Sequence, residues 1–170
     1  MEILITGGAG FIGSHILEQL NERPDVDVVV FDNLSSGSRD HVPARMELVE
    51  GDVCDEEAVD AVFADHHFDA VVHLAAQTMV PTSVEQPVLD CQINLEGVLH
   101  VLEACRVHGV PHILFSSSAA VYGDNLNIPL EETERLAPTS PYGITKMTTE
   151  HYLRVYHELY GMDATVFRFA

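Results

Sequence analysis

Six short apolar runs, rich in β-branched residues, alternate with stretches of helical periodicity, and no other property of the chain restricts its fold as much. The runs are Ile3 to Thr6, Val26 to Phe31, Met46 to Val49, Ala70 to His73, His112 to Ser116 and Ala164 to Phe169. Continuously apolar strands are stable only where both faces of a sheet are covered. The intervening patterns predict helices from about Phe11 to Asn21, Asp55 to Asp65, Gln86 to His108 and Ser140 to Tyr160. Gly109 and Pro111 close the third of these, and the Pro138-Thr-Ser-Pro141 segment opens the fourth. Strands separated by helices pair in parallel through right-handed crossovers, so the expected architecture is α/β, a doubly wound parallel sheet. With 170 residues, 46% of them hydrophobic, the chain can bury one sizeable core, and a single domain over 1-170 is expected.

The first strand runs through Thr6-Gly7-Gly8-Ala9-Gly10-Phe11-Ile12-Gly13 into the first helix. Glycines at 7, 10 and 13 let backbone N–H groups approach a pyrophosphate, whose charge is favoured at a helix N-terminus. A glycine-rich loop alone is weak evidence. Here it joins the first strand to the first helix, and Asp32 ends the second strand about 20 residues later, as a dinucleotide site of the Rossmann type requires. A carboxylate there accepts hydrogen bonds from ribose hydroxyls and repels a 2′-phosphate, which predicts NAD over NADP, with Arg39 the nearby cation that complicates the choice.

Lys146 is the only lysine, and it follows Tyr142 by four residues in Ser-Pro-Tyr-Gly-Ile-Thr-Lys. On a helix these positions share a face, so the ammonium is expected to stabilise phenolate and make Tyr142 a proton acceptor. Tyr-x-x-x-Lys is also common on ordinary amphipathic helices.

A formal charge of −19, from 27 acidic against 8 basic residues, argues against nucleic acid and anionic membranes as partners. Such an acidic, lysine-poor surface fits a salt-rich cytoplasm, the alternative being an ordinary acidic cytosolic protein. Cys54, Cys91 and Cys105 are odd in number and show no Cys-x-x-Cys spacing, so neither a disulfide framework nor a metal site is expected. The histidines lack a paired ligand pattern. No apolar stretch is long enough to span a bilayer and no basic leader precedes the first strand, which points to the cytoplasm.

Taken in order, Gly7/Gly10/Gly13, Phe31-Asp-Asn-Leu34, Gly51-Asp-Val53, His73-Leu-Ala-Ala76, Asn94, Ser116-Ser-Ser118, Val121-Tyr-Gly123 and Tyr142-x-x-x-Lys146 resemble the extended short-chain dehydrogenase/reductase family. The likeness is to its NAD-dependent epimerase/dehydratase branch, which acts on nucleotide sugars, and it covers essentially the whole chain. It implies that Phe11 and Ile12 lie along the pyrophosphate, and Asp32, Asn33, Leu34, Ser35, Ser36 and Gly37 around the adenosine ribose. Asp52 and Val53 would meet the adenine, and Leu74, Ala75 and Ala76 would pass behind the cofactor with Asn94 in support. For Asp52 and Asn94 a purely structural role is the alternative. Lys146 would bind the nicotinamide ribose and lower the pKa of Tyr142, the base. Ser118 would hydrogen-bond the reacting sugar hydroxyl, its alternative being a strand-end cap.

Dehydratases of the family carry an acidic residue just after that serine, whereas this chain has Ala119 and Ala120. The resemblance therefore implies a UDP-sugar 4-epimerase, with UDP-glucose and UDP-galactose the favoured pair. Gln77-Thr78 leaves a uronate or N-acetylated sugar open. Alternatives are a catalytically idle NAD-binding or dimerisation module and an NAD-dependent dehydratase or reductase. Family dimers build a four-helix bundle from helices like those starting at Gln86 and Ser140, so a homodimer is expected. Family members also continue into a smaller C-terminal substrate domain that these 170 residues do not contain, so the chain is expected to be truncated, with apolar surface left uncovered.

Overall fold

A computed structural model describes all 170 residues and places the apolar runs in one parallel sheet. Its strands are β1 (Glu2–Thr6), β2 (Asp27–Asp32), β3 (Glu47–Glu50), β4 (Ala70–His73), β5 (His112–Ser118) and β6 (Asp163–Phe169). Their order is β3-β2-β1-β4-β5-β6, so the chain winds outward from β1 to β3 and then crosses back to β4. That reversal leaves a crevice beyond the carboxyl ends of β1 and β4, where open α/β sheets bind ligands.

Alternate residues of each strand point into two different layers. Ile3 and Ile5 of β1 and Val28 and Val30 of β2 pack with Leu17 of α1 (Phe11–Asn21). Leu4, Val29 and Phe31 point the other way, into a larger cluster with α2 (Glu56–Ala64), α5 (Gly97–His108) and α6 (Pro141–Tyr160). There they meet Val59, Phe63, Val101, Leu102, Leu153 and Tyr156. Each such side chain, fully buried, contributes about 1.5–3 kcal/mol relative to exposure, which is why both strand faces are apolar. On the α1 side of the sheet Phe167 and Phe169 of β6 remain exposed and stack on each other at 6.1 Å, in keeping with the expected uncovered apolar surface.

The helix ends follow their sequence signals. Ser140 caps α6, its Oγ accepting from the Gly143 N–H at 3.1 Å, and Asp55 caps α2 through the Ala58 N–H. Gly109 and Gly161 end α5 and α6 in the left-handed conformation. The predicted helix from Gln86 to His108 is not uniform: α4 (Pro87–Cys91) leads through a π-helical turn, Gln92–Glu96, into α5. A further short helix, α3 (Val80–Glu85), was not expected. Its apolar residues Val80 and Val84 are exposed, so no buried stripe marks it. No helix is long and apolar enough to cross a membrane.

Candidate functional site

The turn from β1 to α1 is pressed against the end of β4. Gly7 has φ +70°, and a Cβ built there would lie 2.5 Å from the Ala75 nitrogen. A Cβ on Gly13 would lie 2.4 Å from the Gly8 carbonyl oxygen, so only glycine lets α1 start this close to the strand. The N-cap of α1 is Gly10, which offers no side-chain acceptor, and the first turn carries no acidic residue. Its N–H groups thus face the crevice with their partial positive charge uncancelled, which suits an anion.

Asp32, at the end of β2, is 8% exposed. Its Oδ2 accepts from the Ala9 N–H at 2.9 Å and its Oδ1 from the Leu34 N–H at 2.8 Å. Each carboxylate oxygen keeps a lone pair for a further donor. Arg39 is paired with Glu50 at 2.9 Å, so the cation that complicated the cofactor choice is already engaged. Asp52 takes the Cys54 N–H on one oxygen and the Asn33 side-chain amide on the other. Burial works to raise its pKa, but hydrogen bonds from the Cys54 backbone and side chain and from Asn33 together outweigh it and the pKa is lowered.

These elements enclose a cleft of about 650 Å³. Of the residues singled out from sequence, Gly7, Gly10, Phe11, Ile12, Gly13, Asp32, Asn33, Ser35, Ser36, Asp52, Val53, Leu74, Ala75 and Ala76 line it. Leu34 and Gly37 do not: the Leu34 N–H is turned to Asp32, and Gly37 packs on the backbone of Ala9. Gly51, Thr78, Met79 and Ile93 line the cleft without having been anticipated as contacts.

Ser118, Tyr142 and Lys146 lie outside that lining, one strand along, where β5 ends and α6 begins. Lys146 is 2% exposed, donates from Nζ to the Ser116 carbonyl at 2.9 Å and sits 4.9 Å from the Phe115 ring centroid and 5.7 Å from that of Tyr142. Burial lowers its pKa to about 8, against an opposing influence from Asp90. Beside it His73 is fully buried, with Nδ1 2.9 Å from Thr6 Oγ1 and Nε2 without a partner. Burial and the Lys146 charge push the His73 pKa down to about 3, so the ring is neutral.

The expected lowering of the Tyr142 pKa by Lys146 is not found. Burial raises it, a hydrogen bond from Ser118 opposes the rise, and the Asp90 charge adds to it. The ammonium is aimed at a main-chain carbonyl rather than at the phenol. Ser118 Oγ also accepts from the Ala120 N–H at 3.2 Å, so the strand-end cap and the contact to Tyr142 coexist.

Sequence reasoning missed Asp90. It is fully buried on α4, where Oδ1 accepts from Gln77 Nε2 and Asn94 Nδ2, both at 2.9 Å, and Oδ2 accepts from Thr145 Oγ1 at 3.0 Å. Asn94, also buried, meets both main-chain groups of Gln77, at 2.8 and 2.9 Å. It therefore supports the cleft wall from behind without lining it. Gln77 lines the cleft, and its side chain is tied to Asp90 and to the main chain of Met79. The one signal that could have found Asp90 is its i, i+4 spacing to Asn94.

Proteins of known structure share this fold over nearly the whole chain. A UDP-glucose 4-epimerase of Thermus thermophilus, solved in complex with NAD, superposes with a TM-score of 0.95 at 45% identity, covering 99% of this chain and 54% of that one. The Thermotoga maritima UDP-glucose 4-epimerase, solved with UDP-glucose, gives 0.95 at 43%, covering 99% and 55%. A putative UDP-glucose 4-epimerase of Methanocaldococcus jannaschii is 40% identical over 170 residues, 99% of this chain and 55% of that protein. The UDP-glucose 4-epimerase of Azospirillum brasilense is 40% identical over 167 residues, 98% and 48%. The chain spans about half the length of the curated relatives it matches. A glycine-bounded crevice beside a Ser-Tyr-Lys cluster, on a sheet that superposes this closely, agrees with the match of residues 3–170: the chain belongs to the NAD dependent epimerase/dehydratase family.

Proposed function

We propose that these 170 residues are the NAD-binding and proton-handling unit of a UDP-sugar 4-epimerase, with UDP-glucose and UDP-galactose as the interconverted pair. The observation that carries this reading is the placement, along one carboxyl edge of the sheet, of the uncapped α1 N-terminus, the Asp32 carboxylate and the Ser118–Tyr142–Lys146 cluster. The residues present fit the cofactor. Open first-turn N–H groups would take the pyrophosphate, Asp32 the ribose hydroxyls, and the wall from Leu74 to Ala76 the nicotinamide side. Bound NAD supplies a hydride acceptor and donor at the sugar C4. Tyr142, as phenolate, takes the C4 hydroxyl proton to become phenol and later returns it, Ser118 holds that hydroxyl against the tyrosine oxygen, and the Lys146 ammonium supplies the positive charge that favours the phenolate form. Ala119 and Ala120, directly after Ser118, have no proton to transfer, which favours epimerisation over water loss.

The residues that choose the sugar belong, on this reading, to the part of the relatives that the chain does not match. A cytoplasmic setting and a homodimer built on the α4–α5 path and α6 belong to it too. Exposed Val88 and Leu89 on α4 and Ile144 and Tyr152 on α6 are apolar surface available for such a contact. A catalytically idle NAD-binding module is the second reading, favoured by the half-length match.

Mass spectrometry of small molecules released on denaturation, with calorimetric titration of NAD and a UDP-galactose conversion assay, tests the proposal. Expected are bound NAD, no net NADH at steady state, and a Tyr142→Phe variant that keeps NAD affinity while conversion is lost. Wild-type chain that binds NAD but converts nothing supports the idle module. Failure to bind NAD at all overturns both.

A further inference from the structure

Residues 77–79 follow β4 without regular secondary structure, yet all three line the cleft, and side-chain amides hold their main chain. Asn94 Oδ1 accepts from the Gln77 N–H at 2.8 Å, and Asn94 Nδ2 donates to the Gln77 carbonyl at 2.9 Å. The Gln77 side chain does the same for Met79, its Oε1 accepting from the Met79 N–H and its Nε2 donating to the Met79 carbonyl at 3.0 Å. Both amide nitrogens also donate to a single atom, Asp90 Oδ1, each at 2.9 Å. A carboxamide turned end for end keeps its shape but would set N–H against N–H along this loop. A carboxylate only accepts, so Asp90 admits the one orientation in which each amide nitrogen faces it and each amide oxygen is left for the main chain. Thr145 Oγ1 donates to Asp90 Oδ2 at 3.0 Å and anchors the carboxylate to α6. Asp90 itself is fully buried and does not line the cleft.

The strand order fixes which part of a dinucleotide this loop meets. Asp32 ends β2 and Asp52 follows β3, on one side of β1, whereas residues 77–79 follow β4 on the other. With the diphosphate at the start of α1 and the adenosine over Asp32, the second nucleoside has to run past β4 toward Ser118 at the end of β5. Resting on the reading of the cleft as an NAD site, we propose that Asp90 is a positioning residue for the nicotinamide half of the cofactor: by fixing the orientation of the Gln77 and Asn94 amides, it holds residues 77–79 in the shape that receives the nicotinamide riboside. It acts through those amides and does not touch the cofactor. The adenosine half lies outside its reach, because Asp32 and Asp52 are held by Ala9, Leu34, Asn33 and Cys54 and share no partner with Asp90.

Calorimetric titration with NAD and with ADP reads the two halves separately in the chain as it is, since ADP carries the adenosine and both phosphates but no second nucleoside. The ratio of NAD to ADP affinity is insensitive to a general loss of stability, which weakens both ligands alike. Asp90→Ala should lower that ratio about tenfold or more while ADP affinity stays within about twofold. Asp90→Asn can still turn its oxygen to both amides and its nitrogen to Thr145 Oγ1, so it should recover most of the loss. Folded Asp90→Ala with the wild-type ratio, or with NAD and ADP weakened alike, overturns the proposal and leaves Asp90 a structural brace. Asparagine no better than alanine overturns it too, because an acceptor would then not be what the loop needs. Should Asp90→Ala not fold, Gln77→Leu decides: it cuts the carboxylate's direct tie to the wall while Asn94 and Thr145 still bond to it. Both N–H groups of the Gln77 amide are committed to Asp90 and Met79, so a lowered ratio in that variant reports the loop, and an unchanged one overturns the proposal. Wild-type chain that binds NAD no better than ADP overturns this proposal alone, and chain that binds neither overturns the cofactor reading with it.

Discussion

At the scale of single residues, the site is held by groups that are buried in one protonation state. His73 is neutral in the folded protein, with its pKa at about 3 against an ordinary 6.5, lowered by burial and then by Lys146. The unfolded chain therefore binds more protons between these values. The stabilising contribution is fully present above about pH 6.5 and is lost as pH falls toward 3. His73→Asn keeps a polar atom facing Thr6 but cannot titrate. Urea unfolding at a series of pH values should show a flatter acid limb for the variant, by on the order of a few kcal/mol; identical slopes would remove His73 from the acid response. Gly7→Ala asks a second question of the same region, because its Cβ would strike the Ala75 backbone at 2.5 Å from a left-handed φ of +70°. A loss of about 2 kcal/mol or more is expected, together with weaker NAD binding, read by thermal melting and calorimetry. The glycines and the Tyr142–Lys146 pair were legible in the sequence because their chemistry depends on spacing along one turn or one helix. Asp90 was not, because its partners Gln77 and Thr145 come from a loop and a helix remote in sequence, and an acid in an apolar segment carries no local sign that it is buried.

Among the elements, the path from Pro87 to His108 shows what periodicity resolves and what it leaves out. Helix was expected throughout, and helix is found on both sides of the Gln92–Glu96 turn. A π-helical turn adds one residue without interrupting the apolar stripe strongly enough to be read. Its effect is local and large: Asn94 reaches both main-chain groups of Gln77 while also donating to Asp90. α3 escaped notice for a different reason, since a short helix with exposed valines has no amphipathic pattern. The load on the π turn can be measured. Asn94→Ala leaves two main-chain groups and a buried carboxylate short of partners, and should lower stability by about 3 kcal/mol. Glu96→Ala, exposed on the same turn, should change it by less than about 0.5 kcal/mol. Equal effects in urea titrations of the two variants would show that the turn does not depend on the Asn94 amide.

For the whole molecule, alternating apolar strands and helices were enough to specify a doubly wound sheet, because burial on both faces leaves few other arrangements. The strand order and the bare α1-side face of β6 were not readable from periodicity, which reports how buried a strand is and not which strand lies beside it. The charge of −19 is the other property at this scale, and the structure sharpens what it means. Arg23, Arg39, Arg106, Arg154 and Arg168 are each paired with a carboxylate, Arg45 bonds to carbonyl oxygens and Asn21, and Lys146 is buried. Little cation is left to answer the remaining surface carboxylates, so they repel one another. Raising salt from about 0.1 to about 1 M shortens the screening length from about 10 to about 3 Å and weakens that repulsion. It also weakens the surface ion pairs, but these contribute at most about 1 kcal/mol each. With the acid excess larger than the number of pairs, the repulsive effect should win, and Tm should rise by several degrees between those salt concentrations, in KCl and NaCl alike. A Tm that stays level or falls would mean that the acidic surface is no adaptation to salt and that its carboxylates are spaced widely enough to coexist in dilute buffer.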